Sequence, residues 1–197
     1  MDHQVILKPG KEKPLRHRHP WVYSGAIDHV TGGEPFPGQI VRVVDSAGGF
    51  LAYGYHNSQS QIAVRVLDWN EQAVIDDAWW RQALAAAIGR RQTLRDDPDT
   101  TCCRLIYAEA DGLPGLIVDR YGDYLVIQSL TAGIDAVKHS IVSIFNDLLH
   151  PAAIIERSDM PARELEGLPP AKGILSGSVP PPQVEVLENG LRFAVDL

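Results

Sequence analysis

The sequence predicts an α+β fold in two domains, in which a small β-barrel or curled sheet precedes a domain of antiparallel strands and two helices. Two observations support this prediction. Short apolar runs separated by Gly- and Pro-rich turns fill residues 1–69, a pattern typical of small β structures. From Asp76 onward the apolar residues recur at helical spacing, and strand and helix patterns then alternate. We therefore predict domains over 1–69 and 76–197, joined by a linker over 70–75.

Turn residues and alternating apolar positions locate the elements of both domains. In the first domain we predict strands over 5–7, 39–45, 50–55 and 62–67, with a loop over 31–38. In the second we predict helices over 76–94 and 134–149, strands over 104–108 and 152–156, and hairpins over 116–128 and 184–195. The Pro- and Gly-rich residues 168–182 predict a long loop.

The distribution of charge is uneven along the chain. The net charge is −7, which by itself argues against a nucleic-acid binder. Residues 1–20 nevertheless carry a net charge of +3, so the remaining residues sum to −10. A basic patch on an acidic protein can form a phosphate-binding face, although a solvated charged loop would give the same pattern.

Residues of this basic segment, and one strand arginine, are candidates for RNA contact. Guanidinium groups bind phosphates in a bidentate manner, and aromatic rings such as Trp21 and Tyr23 can stack on bases. Packing of the two rings in the core is the alternative. His17 and His19 do not form a metal site with Arg18 between them, because no carboxylate or third histidine is placed to complete it. The candidate RNA-binding residues are Lys8, Lys11, Lys13, Arg16, Arg18, His19, Trp21 and Arg65.

Other motifs give little support for catalysis. The carboxylates between Glu109 and Asp123 could form a hydrolase pair, but three of the four abut glycine turns, where Asp caps backbone groups. Residues 156–159 (ERSD) follow a strand and could bind a ligand, or form an ion pair and a cap. Cys102 and Cys103 are adjacent and therefore poor disulfide partners, which suggests a reduced, cytoplasmic setting. No nucleotide-binding glycine loop, signal peptide or bilayer-spanning stretch is recognisable.

Several long strings resemble one known family. The chain is similar to the bacterial 23S rRNA 5-methylcytidine methyltransferases of the large-subunit type I class, in order and over essentially its whole length. The strings that carry this resemblance lie at 5–13, 18–26, 60–66, 104–106, 109–122, 156–159 and 189–197.

The resemblance implies a PUA domain followed by a small central α+β domain. In the family a third, Rossmann-like domain carries the glycine loop that binds S-adenosylmethionine (SAM) and the cysteine that attacks C6 of cytosine. Neither feature maps onto this sequence, and Cys102 and Cys103 do not correspond to that nucleophile. We therefore expect a fragment or truncated product that is inactive alone, with no catalytic, cofactor-binding or metal-binding residue of its own. SAM is then the cofactor of the complete family protein.

Two functional hypotheses remain open from the sequence. In the first, the chain is the RNA-binding part of an rRNA cytosine-5 methyltransferase, with 23S ribosomal RNA as its partner and no contact with membranes. In the second, it is a protein-interaction or dimerisation module without RNA contact, because apolar surface left uncovered would favour a homodimer.

Overall fold

The computed structural model describes residues 3–197, and its first part is a six-stranded sheet. The sheet order is β2-β6-β5-β4-β1-β3, antiparallel except for the β1–β4 pair. The strands are β1 (Gln4–Leu7), β2 (Trp21–Val22), β3 (Ile27–Thr31), β4 (Gln39–Val44), β5 (Phe50–His56) and β6 (Val64–Asp68), with a short helix α1 (Lys13–Arg16) after β1.

Alternating apolar side chains produce the core of this sheet. Val5 and Leu7 of β1 are fully buried, as are Val41 and Val43 of the neighbouring strand β4. Because successive side chains on a strand point to opposite faces, this alternation directs one face of each strand inward. The core therefore lies inside the curled sheet, and the charged residues of the connecting segments remain outside.

The second part is a five-stranded sheet with helices packed on it. The sheet order is β11-β10-β9-β8-β7, antiparallel except for the β9–β10 pair, and a separate hairpin follows. The elements are α2 (Asp77–Gly89), α3 (Gln92–Arg95), β7 (Cys102–Tyr107), β8 (Leu116–Tyr121), β9 (Tyr124–Ser129), α4 (Ala132–Leu149), β10 (Ala153–Ser158), β11 (Ala171–Gly177), β12 (Val184–Glu188) and β13 (Leu191–Val195).

Helix α2 begins where the sequence provides a start signal. The Asp76 carboxylate accepts a hydrogen bond from the Trp79 backbone N–H at 2.9 Å, which caps the start of α2. The buried face of α2 carries Trp80, Leu84 and Ile88. Helix α4 provides the crossover that the parallel strands β9 and β10 require. None of the helices within residues 3–197 has the length and apolar content needed to cross a bilayer.

The two sheets are joined by a close seam at the start of α4. Tyr55 of β5 is 1% exposed and belongs to the same buried cluster as the core of the second part. A Cβ on Gly133 would lie 2.1 Å from the Tyr55 ring, and one on Gly38 would lie 2.4 Å from the Ala132 carbonyl oxygen. The Tyr55 hydroxyl also bonds to Thr131 Oγ1 at 2.8 Å. Only glycine permits such close approach, so these residues fix how the two parts pack.

The α+β fold class predicted from the sequence is confirmed, with four local corrections. Residues 171–177 form edge strand β11 within the predicted loop over 168–182. The short strands β2 and β3 were not predicted, and the predicted helix over 76–94 ends at Gly89 before the separate turn α3. One strand pair of the second sheet is parallel. The domain limits 1–69, 70–75 and 76–197 stay a prediction.

Candidate nucleic-acid interface

The basic edge consists of Lys8, Lys11, Lys13, Arg16 and Arg18, which follow β1 and surround helix α1. All five side chains are exposed. Lys8 Nζ donates to the Gly25 carbonyl oxygen at 3.0 Å, and within residues 3–197 the ammonium groups of Lys11 and Lys13 form no hydrogen bond or ion pair. These two lysines are therefore available to an anionic partner.

The two arginines of the basic edge have intramolecular partners. Arg16 pairs with Asp45 at 2.7 Å while remaining 55% exposed. The amides of Gly49 and Ala47, together with this guanidinium, hold the pKa of Asp45 below its usual range. Arg18 adopts a left-handed backbone conformation and places its guanidinium 5.2 Å from the centre of the Trp69 ring. An exposed pair of this kind is weak, so Arg16 can exchange Asp45 for a phosphate at little cost.

Three aromatic rings form a ladder next to the basic edge. His19 and Trp21 meet edge to face at 5.7 Å, and Trp21 and Tyr23 do so at 6.4 Å. Trp21 is partly buried, and its indole N–H donates to Glu109 at 2.8 Å. Tyr23 is 50% exposed. The two alternatives for these aromatic residues, core packing and a surface for stacking, therefore apply to different rings. Trp21 is anchored between the sheets, whereas Tyr23 presents its ring to solvent.

Arg65 lies away from the basic edge, on β6 and facing the second sheet. Its guanidinium donates to Glu109 at 3.0 Å and to Glu166 at 3.2 Å, and the side chain is only 14% exposed. Its Nε atom has no hydrogen-bond partner within the described residues. Two carboxylates already compensate this charge, so the geometry favours a structural role over phosphate binding.

Glu166 joins the two sheets, and sequence reasoning did not identify it. The side chain is 3% exposed, and its carboxylate accepts from Arg65, from the Asn57 amide at 3.0 Å and from the Ala132 backbone N–H at 3.3 Å. A carboxylate at the start of α4 also interacts favourably with the helix dipole. No local pattern marks Glu166 or Asn57, because their partners are distant in sequence.

A cavity of about 760 Å³ opens between the two sheets, and we call it the interdomain cavity. Trp21, Tyr23 and Arg65 border it on the side of the first sheet, with Glu109 and Glu164 on the other side. A second cavity of about 430 Å³ lies between the aromatic ladder and Lys11. Trp21 and Tyr23 line both spaces, so the aromatic ladder separates them.

Three of the four carboxylates that suggested a hydrolase pair are held in separate ion pairs. Asp111 binds Arg90 and Arg91, Asp119 binds Arg104, and Glu109 binds Arg65. Within the segment 156–159, Arg157 lies 3.8 Å from Asp159, whereas Glu156 pairs at 2.9 Å with Lys138 of α4, a partner that the sequence did not indicate. Within residues 3–197 no group of three or more His, Cys, Asp or Glu side chains has metal-site geometry. Cys102 and Cys103 are free thiols in β7.

Comparison with known proteins finds a family model that matches the first sheet and relatives that match the whole chain. Residues 5–69 match the model of the PUA-like domain. The chain is 41% identical over all of its 197 residues to a ribosomal RNA large subunit methyltransferase I from Photobacterium profundum, and 40% identical to one from Shewanella amazonensis. The chain spans about half the length of each of these two relatives (50%).

Solved structures with the same fold have lower sequence identity. A protein from Streptococcus mutans, provisionally described as a SAM-dependent methyltransferase, superimposes with a TM-score of 0.80 at 19% identity. The match covers 98% of this chain and 48% of that one. A second structure, provisionally described as a methyltransferase complexed with SAH, gives a TM-score of 0.82 at 19% identity. At this identity the likeness establishes the fold alone.

Proposed function

We propose that this chain, a relative of the ribosomal RNA large subunit methyltransferase I proteins over its whole length, is the RNA-binding and substrate-positioning part of such an enzyme. The chemistry we propose for the whole enzyme is transfer of a methyl group from SAM to C5 of a cytosine in 23S ribosomal RNA. The relatives carry the name of rRNA methyltransferases, and residues 5–69 match the PUA-like domain. A ribosomal partner also implies a cytoplasmic location.

The observation that carries this proposal is the exposed basic edge beside the aromatic ladder. Lys11 and Lys13 are unpaired within residues 3–197, and Arg16 is held only by an exposed ion pair. Cations of this kind bind the phosphate backbone and release condensed counterions, whereas nearby rings offer stacking surfaces for bases. An acidic protein that keeps such a face is suited to an anionic partner.

The role of the basic edge is tested by the salt dependence of RNA binding. We expect weak binding of single-stranded ribosomal RNA fragments, in about the micromolar range or weaker. Replacing Arg16 and Arg18 together by Ala should flatten the slope of log affinity against log salt by roughly 1–2 units. Fluorescence anisotropy over a series of salt concentrations measures this slope.

A matched control uses two exposed arginines on other surfaces. Arg81 and Arg192 each pair with a carboxylate and remain exposed, as Arg16 does. Replacing these two by Ala changes the net charge by the same amount and should leave the slope unaltered. If both double variants bind RNA like the parent at every salt concentration, Arg16 and Arg18 are solvated side chains that make no phosphate contact.

We also propose that residues 1–197 alone neither bind SAM nor transfer a methyl group. No string in them matches the glycine loop that binds SAM in the family, and Cys102 and Cys103 lie in a strand whose burial raises the pKa of both thiols. A raised pKa keeps these thiols protonated and poorly nucleophilic. A one-to-one calorimetric isotherm with micromolar affinity for SAM would overturn this proposal.

A homodimer is the second candidate, favoured by one surface. The terminal strand β13 exposes Leu191 (64%) and Phe193 (44%) on a two-stranded sheet. Exposed apolar side chains on an edge strand promote self-association. Sedimentation velocity over a hundredfold range of concentration tests the homodimer, with Phe193→Ser as the variant expected to disrupt it. If the parent chain stays monomeric over the whole range and the variant sediments in the same way, the homodimer is excluded.

A further inference from the structure

We propose that the interdomain cavity binds one unpaired nucleobase that carries an exocyclic amino group, with its phosphate held outside by the basic edge. This inference rests on the proposed RNA-binding function and deepens it, because it assigns a pocket, an orientation and a class of base. The bases that qualify are cytosine, adenine and guanine, and uracil is disfavoured.

The cavity is large enough to admit a base, and apolar side chains form much of its wall. Its volume of about 760 Å³ lies within the range of roughly 300–1,000 Å³ that is usual for small-ligand sites. Trp21 and Tyr23 form one wall, and apolar side chains such as Ile62 and Leu165 contribute to the rest. Leu165 is 74% exposed and Tyr23 is 50% exposed, so a base entering here would cover apolar surface that now faces water.

The charges around the cavity determine which end of a nucleotide enters. Glu109, Glu164 and Glu166 border the cavity, and Arg65 is the single cation among its lining residues. A phosphate would therefore be repelled from the interior. Lys11 and His19 border the smaller cavity on the other side of the aromatic ladder. This separation of charge places the phosphate on the basic edge and directs the base inward.

Glu109 provides the means to select an amino group. Its Oε1 atom accepts from the Trp21 indole and from Arg65, which fixes the carboxylate in position. Its Oε2 atom accepts no side-chain hydrogen bond within residues 3–197, and the residue is partly exposed at the cavity. A carboxylate accepts a hydrogen bond from the amino group of cytosine, whereas uracil presents a carbonyl oxygen at the same position. Preorganised in this way, Glu109 disfavours uracil.

The first experiment uses nucleosides, which lack phosphate and therefore do not depend on the basic edge. Cytidine and uridine are titrated to millimolar concentration into the ¹⁵N-labelled chain, and the indole N–H resonance of Trp21 is followed by NMR, with Trp21→Phe to assign it. We expect cytidine to shift this resonance at a several-fold lower concentration than uridine. Absence of a shift with either nucleoside, or equal shifts with both, overturns the proposal.

The second experiment uses labelled oligonucleotides of eight cytidines, eight uridines or eight abasic sites. Stacking on one aromatic ring contributes enough that Tyr23→Ala should lower affinity for the cytidine oligomer between about 5-fold and 100-fold. The abasic oligomer should be unaffected, because its phosphates remain bound. Phe36→Ala, which removes a 79% exposed ring outside the cavity, is the matched control and should change none of the three affinities.

A third variant separates selectivity from stacking. Glu109→Gln retains an oxygen for Trp21 and Arg65 but adds an amide donor, so the preference for cytidine over uridine oligomers should fall to near unity. Retention of the full preference in Glu109→Gln overturns the role of Glu109 and with it the proposal. Failure of all three oligomers to bind the parent, with the cytidine shift of Trp21 intact, would refute the RNA-binding function and leave the base pocket standing.

Discussion

Removal of the Glu166 carboxylate should destabilise the whole chain, because this group joins both sheets and the start of α4. Glu166→Ala removes one acceptor from each of three donors: Arg65, Asn57 and the Ala132 amide. Breaking a buried charge pair by removing one partner costs about 3–5 kcal/mol. Arg65 retains Glu109 and some access to water, so the expected loss lies near the lower end, about 3 kcal/mol.

This loss is measurable by equilibrium unfolding. In a chain of this length, 1 kcal/mol corresponds to a shift of about 2–4 °C in Tm, so Glu166→Ala should lower Tm by roughly 6–12 °C. Urea unfolding at pH 7, followed by circular dichroism, gives the free energy directly. Glu164→Ala is the control: Glu164 is exposed and two residues away, and its variant should stay within about 0.5 kcal/mol of the parent. Equal stabilities of the two variants would show that the Glu166 contacts contribute nothing net.

Three further predictions follow from the packing and the charges. Burial would raise the pKa of Asp111, but the guanidinium groups and the amide that bind it hold that pKa below its usual range. The stabilising effect of the Asp111 carboxylate is thus present above the unfolded pKa of about 3.9 and is lost as pH falls through the folded pKa. Asp111→Asn should therefore destabilise the chain at pH 7, and its deficit in stability relative to the parent should shrink in acid titrations as pH falls below that unfolded pKa. Gly133→Ala should cost at least about 1–3 kcal/mol in urea unfolding, because its Cβ overlaps the Tyr55 ring, whereas Gly89→Ala, with open space around it, should be neutral or stabilising. Protease cleavage within the proposed linker 70–75 should yield fragments that co-elute in gel filtration, since Tyr55 packs in the core of the second part; separate elution would show that the seam is weak.

Local patterns were sufficient where a signal and its consequence lie within a few residues. Asp76 caps the helix that the following apolar spacing predicts. Asn189 and Gly190, both with positive φ, form the predicted turn between β12 and β13. Edge strand β11 was missed because its Pro- and Gly-rich surroundings resemble a loop, and its pairing with β10 depends on a distant segment. The same reason accounts for the two-residue strand β2, which pairs with β6.

The candidate interface was predicted in part. The basic edge and the aromatic ladder are contiguous in sequence, so their proximity needed no tertiary information. Arg65 was grouped with the basic edge on charge alone, yet the structure surrounds it with Glu109 and Glu166. Whether any of the eight candidate residues touches RNA stays a prediction, and the geometry favours Lys11 and Lys13 over Arg65.

The sequence by itself determined the fold class, most of the strands and helices, the basic segment and the resemblance to a family, because each of these depends on local periodicity, composition or contiguous strings. Only the tertiary structure decided which charges are compensated and where a cavity opens. Arg65, Glu109 and Glu166 lie far apart in the chain, and the packing of Tyr55 against Gly133 brings them together. The free energy of a buried charge depends on the groups around it, and those groups are set by the packing of whole elements.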